Sequence, residues 1–289
     1  MRRRKIAAEG MVVVKKSSFS RFVIILGFTS LAGIVAAPAR ATIDPWADAV
    51  IHYNAGTNPQ VGYTGNANVV VGSPERVTGE NTPFPPFPGS VTMFSTPYGF
   101  DEIVSIGAGG ELIVRFDEPV IDRPGTDMLI FGNAFFALDS SFSLVDGIAS
   151  EPGTVEVSVD GIDWRPASGF ADGLFPTQGF LDTDMFGNNI GTQPTDFLKP
   201  VNPALTINDF LGLTYAQAMA LYDGSGGGAN IDIAGSGLAS FQYVRVSVPA
   251  GALHSTEIDA FAAIPEPATA GLILIGAMNL ARRSSRRRS

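Results

Sequence analysis

Short segments in which apolar and polar residues alternate constrain the fold of this chain most. Residues 111–116, 154–159, 241–248 and 257–263 place apolar side chains at every second position, which is the period of a β-strand with one buried face. Many of the 33 glycines and 20 prolines lie between these segments, where they favour turns. The pattern predicts an all-β sandwich with long loops over residues 42–264.

Further elements are predicted from local composition. Residues 127–131 are apolar on both faces, as in a central strand, and residues 69–71 form a short valine run that predicts another strand. Pro119 is expected to end the strand that starts at Glu111, and Trp164 is expected to pack on the core. No repeat with a period of about 20 to 50 residues is present, which argues against a solenoid or propeller.

One short helix is predicted in the sandwich, over residues 214–222. Thr214 is a helix N-cap candidate, and Gln217 three residues later completes a capping box. Gly224 lies just beyond the predicted end, where glycine favours helix termination.

The N-terminal residues have the organisation of a secretory signal peptide. Arginines and lysines open the chain, residues 22–37 form an apolar run, and Ala39-Arg40-Ala41 has the small-x-small pattern of a cleavage site. We therefore predict that residues 1–41 are a signal peptide cleaved after Ala41, and that the protein is exported.

Charge and cysteine content exclude several classes of function. The whole chain has a formal charge of −9, but the basic residues are concentrated at its two ends. Residues 42–264 contain 26 acidic and six basic side chains, a formal charge of −20. Such a body is repelled by nucleic acid and is suited to divalent cations. The absence of cysteine excludes disulfides and thiol chemistry.

The C-terminal residues 265–289 resemble the PEP-CTERM sorting signal of exported bacterial proteins. Pro265, Glu266 and Pro267 precede a 14-residue apolar run, and a basic end follows that includes Arg282 and Arg283. The run is shorter than the roughly 20 residues of a permanent membrane span, and the arginines favour the cytoplasmic side. The resemblance implies a hydrophobic sorting helix with transient membrane contact, recognised by an exosortase-type enzyme.

Residues 42–264 resemble a discoidin-type, galactose-binding-like jelly roll. The resemblance is carried by VEVSVDGIDW at 155–164, FQYVRVSVP at 241–249 and STEIDAFAAI at 255–264. Residues 165–240 form an insertion that is longer than in a compact discoidin domain, and the usual disulfide is absent. The resemblance implies a jelly-roll body, carbohydrate binding and, in many such domains, a structural calcium ion.

A candidate calcium site follows from the oxygen donors of this body. Asp223, Asp232 and Asp259 are the predicted ligands, and the glycine-rich loop 223–232 has the flexibility that calcium sites use. Asn230, Asp122 and Asp127 are further oxygen donors in the sequence. The EF-hand pattern is absent.

Catalytic motifs are not recognisable. The two histidines, His52 and His254, do not lie in a zinc motif or beside a nucleophile elbow. A pair of carboxylates, as in glycoside hydrolases, is defined by space rather than by sequence, so this alternative stays open.

The sequence therefore predicts an exported, non-enzymatic cell-surface or matrix protein with a structural or polysaccharide-binding role. The alternatives are a polysaccharide-acting hydrolase with paired carboxylates and a calcium-stabilised scaffold without a sugar site. No ligand-binding residues are assigned. The loop residues that suit sugars are aromatics and amides: Trp46, Tyr63, Phe135, Phe136, Phe175, Phe180, Phe186, Asn188 and Asn189.

Overall fold

A computed structural model describes residues 44–82 and 87–265. The chain divides into a unit of residues 1–41 and a unit of residues 42–289, and the fold below is that of the second. Several predicted features lie outside the described residues: the signal peptide with Ala39 and Ala41, most of the sorting signal with Glu266, Pro267, Arg282 and Arg283, and residues 83–86.

The described residues form 13 strands and two α-helices, so the protein is all-β in character. The strands, β1 to β13, are Ala49–Asn54, Val77–Thr78, Gly89–Ser90, Val104–Ile106, Glu111–Ile121, Met128–Gly132, Phe135–Leu138, Val145–Ala149, Gly153–Ser158, Arg165–Ala171, Ala229–Ile231, Ser240–Ser247 and Thr256–Ala263. The helices α1 and α2 are Ile207–Phe210 and Tyr215–Tyr222, and 3₁₀ turns occupy Ala67–Val70 and Ala234–Ser236.

Two antiparallel sheets form the body of the fold. The five-stranded sheet has the order β1-β5-β12-β9-β10, and the four-stranded sheet has the order β11-β6-β13-β4. The pairs β2-β3 and β7-β8 are separate hairpins. Within the described part of the chain, no helix is long and apolar enough to span a bilayer.

The main core lies between the two large sheets. In β12, Val244 is opposite Val114 of β5 and Val157 of β9, and all three side chains are fully buried. Ile258 and Phe261 of β13 belong to the same cluster. The two sheets therefore share one apolar interior, as predicted from the alternation of residues along the strands.

Two smaller apolar clusters form where the helices and long loops pack against the outside of this sandwich. Helices α1 and α2 contribute Phe210 and Tyr222 to an aromatic cluster with Phe136 of β7. A third cluster joins Phe131 of β6 to Phe197, whose rings meet edge to face with centroids 5.1 Å apart. The long insertion at 165–240 therefore supplies β10, β11, both helices and much of this outer packing.

Most of the predicted elements are confirmed, including helix α2. Gln217 Oε1 accepts hydrogen bonds from the backbone N–H and the hydroxyl of Thr214, both at 2.9 Å. Asp223 follows α2 in the left-handed conformation, with φ of 49°.

Four predictions are corrected. One helix was predicted, but the described residues contain a second, α1, which begins at a capping box between Thr206 and Asp209. The valines at 69–71 do not form a strand, because the Asn66 side chain accepts from Asn68 N–H and caps a 3₁₀ turn. Pro119 does not end β5. The register of β5 against β12 shifts between Phe241 and Tyr243, so residues 116–119 have no paired partner in β12. Proline is tolerated there because its missing N–H breaks no bond of the sheet. Trp164 lies half-exposed beneath Arg245 rather than in the core.

Candidate functional site

The two large sheets meet at one edge, between β10 and β11. Ser168 N–H donates to the Asp232 carbonyl at 2.8 Å, and Asp232 N–H donates to the Ser168 carbonyl at 3.2 Å. β10 contains Pro166 and Gly169, so its pairing with β9 is interrupted between Pro166 and Phe170. This interruption turns part of β10 away from β9 and leaves room beside the joint.

A cleft of about 370 Å³ opens beside this joint. Its walls are largely apolar, with Phe170, Phe175 and Leu205 among the lining residues. Phe170 is 58% exposed, which is high for an aromatic side chain and leaves much of its ring available to a ligand. The polar lining side chains include Asn230 and Asp232.

Asn230, one of the lining residues, has a buried acceptor without a partner among the described residues. Its Nδ2 donates to the Val201 carbonyl at 2.9 Å, and this contact fixes which end of the amide is nitrogen. Its Oδ1 is buried and finds no hydrogen-bond partner among the described residues. A buried water molecule would satisfy this oxygen, since a buried unpaired acceptor is unfavourable.

Asp232 of the cleft wall belongs to a group of three aspartates. Carboxylate oxygens of Asp122, Asp127 and Asp232 are all within 4.8 Å of one another, and Asp232 also lines the cleft. A calcium ion with bonds of about 2.3–2.6 Å can bridge oxygens at such separations. The group could therefore hold a hard cation.

Asp127 is the buried member of this group. Its Oδ1 accepts from Arg123 N–H at 2.8 Å and its Oδ2 from Ile233 N–H at 2.9 Å. Burial raises the pKa of Asp127, the two backbone bonds oppose that rise, and the charges of Asp122 and Asp232 add to it. A bound cation would relieve this repulsion.

The structure places the three predicted calcium ligands in three different surroundings. Asp232 lies in the group with Asp122 and Asp127. Asp223 pairs with Lys199 at 2.6 Å, which lowers the pKa of Asp223. Asp259 is buried and accepts from Glu75 N–H at 3.1 Å; burial raises its pKa well above the usual range.

The aromatic and histidine candidates are similarly dispersed. Phe175 lines the cleft, whereas Phe136 is buried and Trp46 packs on the outer cluster. His52 Nε2 lies 3.4 Å from Glu111 Oε1, and His254 Nε2 lies 3.3 Å from the Pro152 carbonyl oxygen. Sequence reasoning missed Phe170 because β10 lacks a regular alternation, and only its exposure in the folded chain distinguishes it.

No protein-family model matches this sequence, and no curated protein matches it at a significant level.

Proposed function

We propose that this protein is an exported, non-enzymatic surface or matrix protein that contacts extracellular polysaccharide at the β10–β11 cleft. The cleft carries this proposal, because it combines an exposed aromatic ring, Phe170, with the carboxylate of Asp232 and the neighbouring amide residue Asn230. A sugar has an apolar ring face and a rim of hydroxyls, which such a site complements.

Binding measurements on the full-length protein test this proposal. A glycan panel first identifies the polysaccharide that the wild type binds. Phe170→Ala should then lower the affinity for that polysaccharide by about 5- to 30-fold, which is the loss expected when an aromatic anchor of an interface is removed. Phe142→Ala is the matched control, because Phe142 is 69% exposed and does not line the cleft. Equal affinities of the two variants, or no binding across the panel, would contradict the proposal.

The hydrolase alternative requires two carboxylates that flank one sugar bond, about 5 to 9.5 Å apart. Asp232 is the one carboxylate among the lining residues of the described cleft, and a carboxylate oxygen of the half-exposed Asp122 lies within 4.8 Å of it. Analysis of the bound polysaccharide for released oligosaccharides distinguishes the two functions. If oligosaccharides are released by the wild type and not by Asp122→Asn, the hydrolase is favoured.

A calcium-stabilised scaffold is the second candidate, and the three-aspartate group favours it. A cation that binds only the folded state raises its stability. We expect calcium to raise the melting temperature of the wild-type protein and EDTA to reverse the rise. Asp122→Asn should abolish this response, whereas Asp146→Asn, at an exposed carboxylate of β8, should retain it. No response at millimolar calcium would exclude this candidate.

Sorting by an exosortase-type enzyme is proposed from the C-terminal resemblance. The position of the motif supports it, because the folded body extends to the residue before Pro265. Ile264 N–H donates to the Asp127 carbonyl at 2.9 Å, and Arg123 Nη1 donates to the Ile264 carbonyl at 2.6 Å. In a host that has the enzyme, Glu266→Ala should prevent C-terminal cleavage, which mass spectrometry of the intact protein measures.

A further inference from the structure

The wall of the β10–β11 cleft contains an acidic side chain and no basic one. Asp232 is its carboxylate, Thr126 and Ser168 add neutral hydroxyls, and the other described lining residues apart from Asn230 are apolar or glycine. Lysine, arginine and histidine are absent from the described lining residues. The cleft therefore offers a ligand apolar surface and one negative charge.

The six basic side chains of residues 42–264 lie outside this wall. Arg123 Nη1 donates to the Ile264 carbonyl at 2.6 Å, and Lys199 pairs with Asp223. Arg165 of β10 is opposite Val157 of β9. The other three bind partners elsewhere: Arg76 binds Thr195, Arg115 binds Asp117 and Arg245 binds Glu156. The described residues therefore provide no cation in the cleft wall.

Asp232 keeps a negative charge at the cleft. Its Oδ1 accepts from Ala234 N–H at 2.8 Å, and the ion pairs of the described residues do not include it. Carboxylate oxygens of Asp122 and Asp127 lie within 4.8 Å of that of Asp232, and residues 42–264 have a formal charge of −20. These charges make the potential at the wall negative. A negatively charged sugar is disfavoured there and a positively charged sugar is favoured.

We propose that the cleft selects polysaccharides that contain amino sugars, with the ammonium group of one sugar bound to the Asp232 carboxylate and its ring on Phe170. Ser168 is opposite Asp232 at the β10–β11 joint, and Phe170 follows two residues later. The aromatic ring and the carboxylate therefore border one cleft from neighbouring strands. An ammonium group has three N–H donors and a positive charge, and acetylation removes that charge. This inference rests on the proposed polysaccharide contact at the same cleft.

Binding of matched oligosaccharides to the full-length protein tests this selection. The ligands are oligomers of glucosamine and of galactosamine, the same oligomers after N-acetylation, and oligomers of galacturonic acid. EDTA removes divalent cations, and a mildly acidic buffer keeps the amines protonated. We expect the free amines to bind about tenfold more tightly than their acetylated forms, because a hydrogen bond to a charged group is stronger than one between neutral groups. Galacturonic acid oligomers should not bind, and high salt should reduce the preference for amines.

Asp232→Asn separates the cleft carboxylate from a general attraction of cations to the acidic body. Asparagine keeps an oxygen that can accept from Ala234 N–H and loses the charge, so the preference for amines should fall below about threefold. Asp146→Asn removes the same charge at an exposed position of β8 and should retain the full preference. Phe170→Ala should weaken the binding of both forms alike, because the ring contacts the sugar and not its amine.

The outcomes distinguish this inference from the function on which it rests. Binding that depends on Phe170 but does not distinguish amines from acetylated sugars overturns the amino-sugar inference and leaves the polysaccharide contact in place. A preference for amines that Asp232→Asn retains also overturns the inference, because it then arises from net charge. Failure of every oligosaccharide to bind contradicts both. The comparison of ligands on the wild type decides the first point even if Asp232→Asn does not fold.

Discussion

Replacement of Arg76 by methionine should remove a set of hydrogen bonds that join the β2–β3 hairpin to the loop around Gly179 and Thr195. Arg76 precedes β2, and its Nη1 donates to the Gly179 carbonyl and to Thr195 Oγ1. Its Nη2 donates to the Thr195 carbonyl at 3.0 Å. The guanidinium carbon also lies 3.8 Å from the ring centroid of Phe197, which in turn packs on Phe131 of β6.

The expected loss follows from these contacts. Hydrogen bonds from a charged group contribute about 1.5–3 kcal/mol each, and a desolvated cation–π contact contributes up to about 2 kcal/mol. The bonds share one side chain, so their contributions are not additive. Methionine retains the apolar stem and leaves the Thr195 carbonyl without its donor, whereas the Gly179 carbonyl keeps the bond from Thr195 N–H. We expect a loss of about 3–5 kcal/mol in the free energy of unfolding.

Urea denaturation and calorimetry measure this loss. For a domain of this size, each kcal/mol corresponds to about 2–4 °C, so the melting temperature should fall by about 6–20 °C. Arg165→Met is the matched control, because Arg165 is exposed and its loss should change stability by less than about 0.5 kcal/mol. A loss below about 1 kcal/mol for Arg76→Met would refute the assigned role.

Three further substitutions test the packing and the turns by the same measurements. Phe131→Ala should cost about 3–5 kcal/mol, because the ring is fully buried against Phe197; a loss similar to that of an exposed position would contradict this. Gly187→Ala should destabilise by at least about 1 kcal/mol, because φ is +70° and the new Cβ would lie 2.0 Å from the Ser90 carbonyl oxygen; unchanged stability would show that this turn adapts. Ser158→Ala should cost about 1 kcal/mol, because Ser158 Oγ accepts from Gly161 N–H at 3.0 Å in the β9–β10 turn; a neutral result would mean that Asp160 alone fixes the turn.

The strongest local patterns predicted the centre of the fold. β9, β12 and β13 were predictable because each has one or both faces buried and no proline to interrupt it. Helix α2 was predictable because its capping box is complete within four residues. Such signals depend on neighbours along the chain, which a sequence displays directly.

Elements without such local patterns were missed. β10 contains Pro166 and Gly169 and lies at the edge of its sheet, while β7 and β8 form a separate hairpin that depends on packing by α1 and α2. For these segments, tertiary contacts outweigh local preference.

The all-β class, the acidic and cysteine-free body and the position of helix α2 follow from the amino-acid sequence, because they depend on composition and short-range periodicity. The cleft and the groups of acids exist only in the folded chain. Asp122, Asp127 and Asp232 meet because β11 pairs with β6, and Glu151 and Asp172 meet because β10 pairs with β9. Strand pairing joins residues that are distant along the chain, and the burial that shifts the pKa of a carboxyl exists only after those strands have packed.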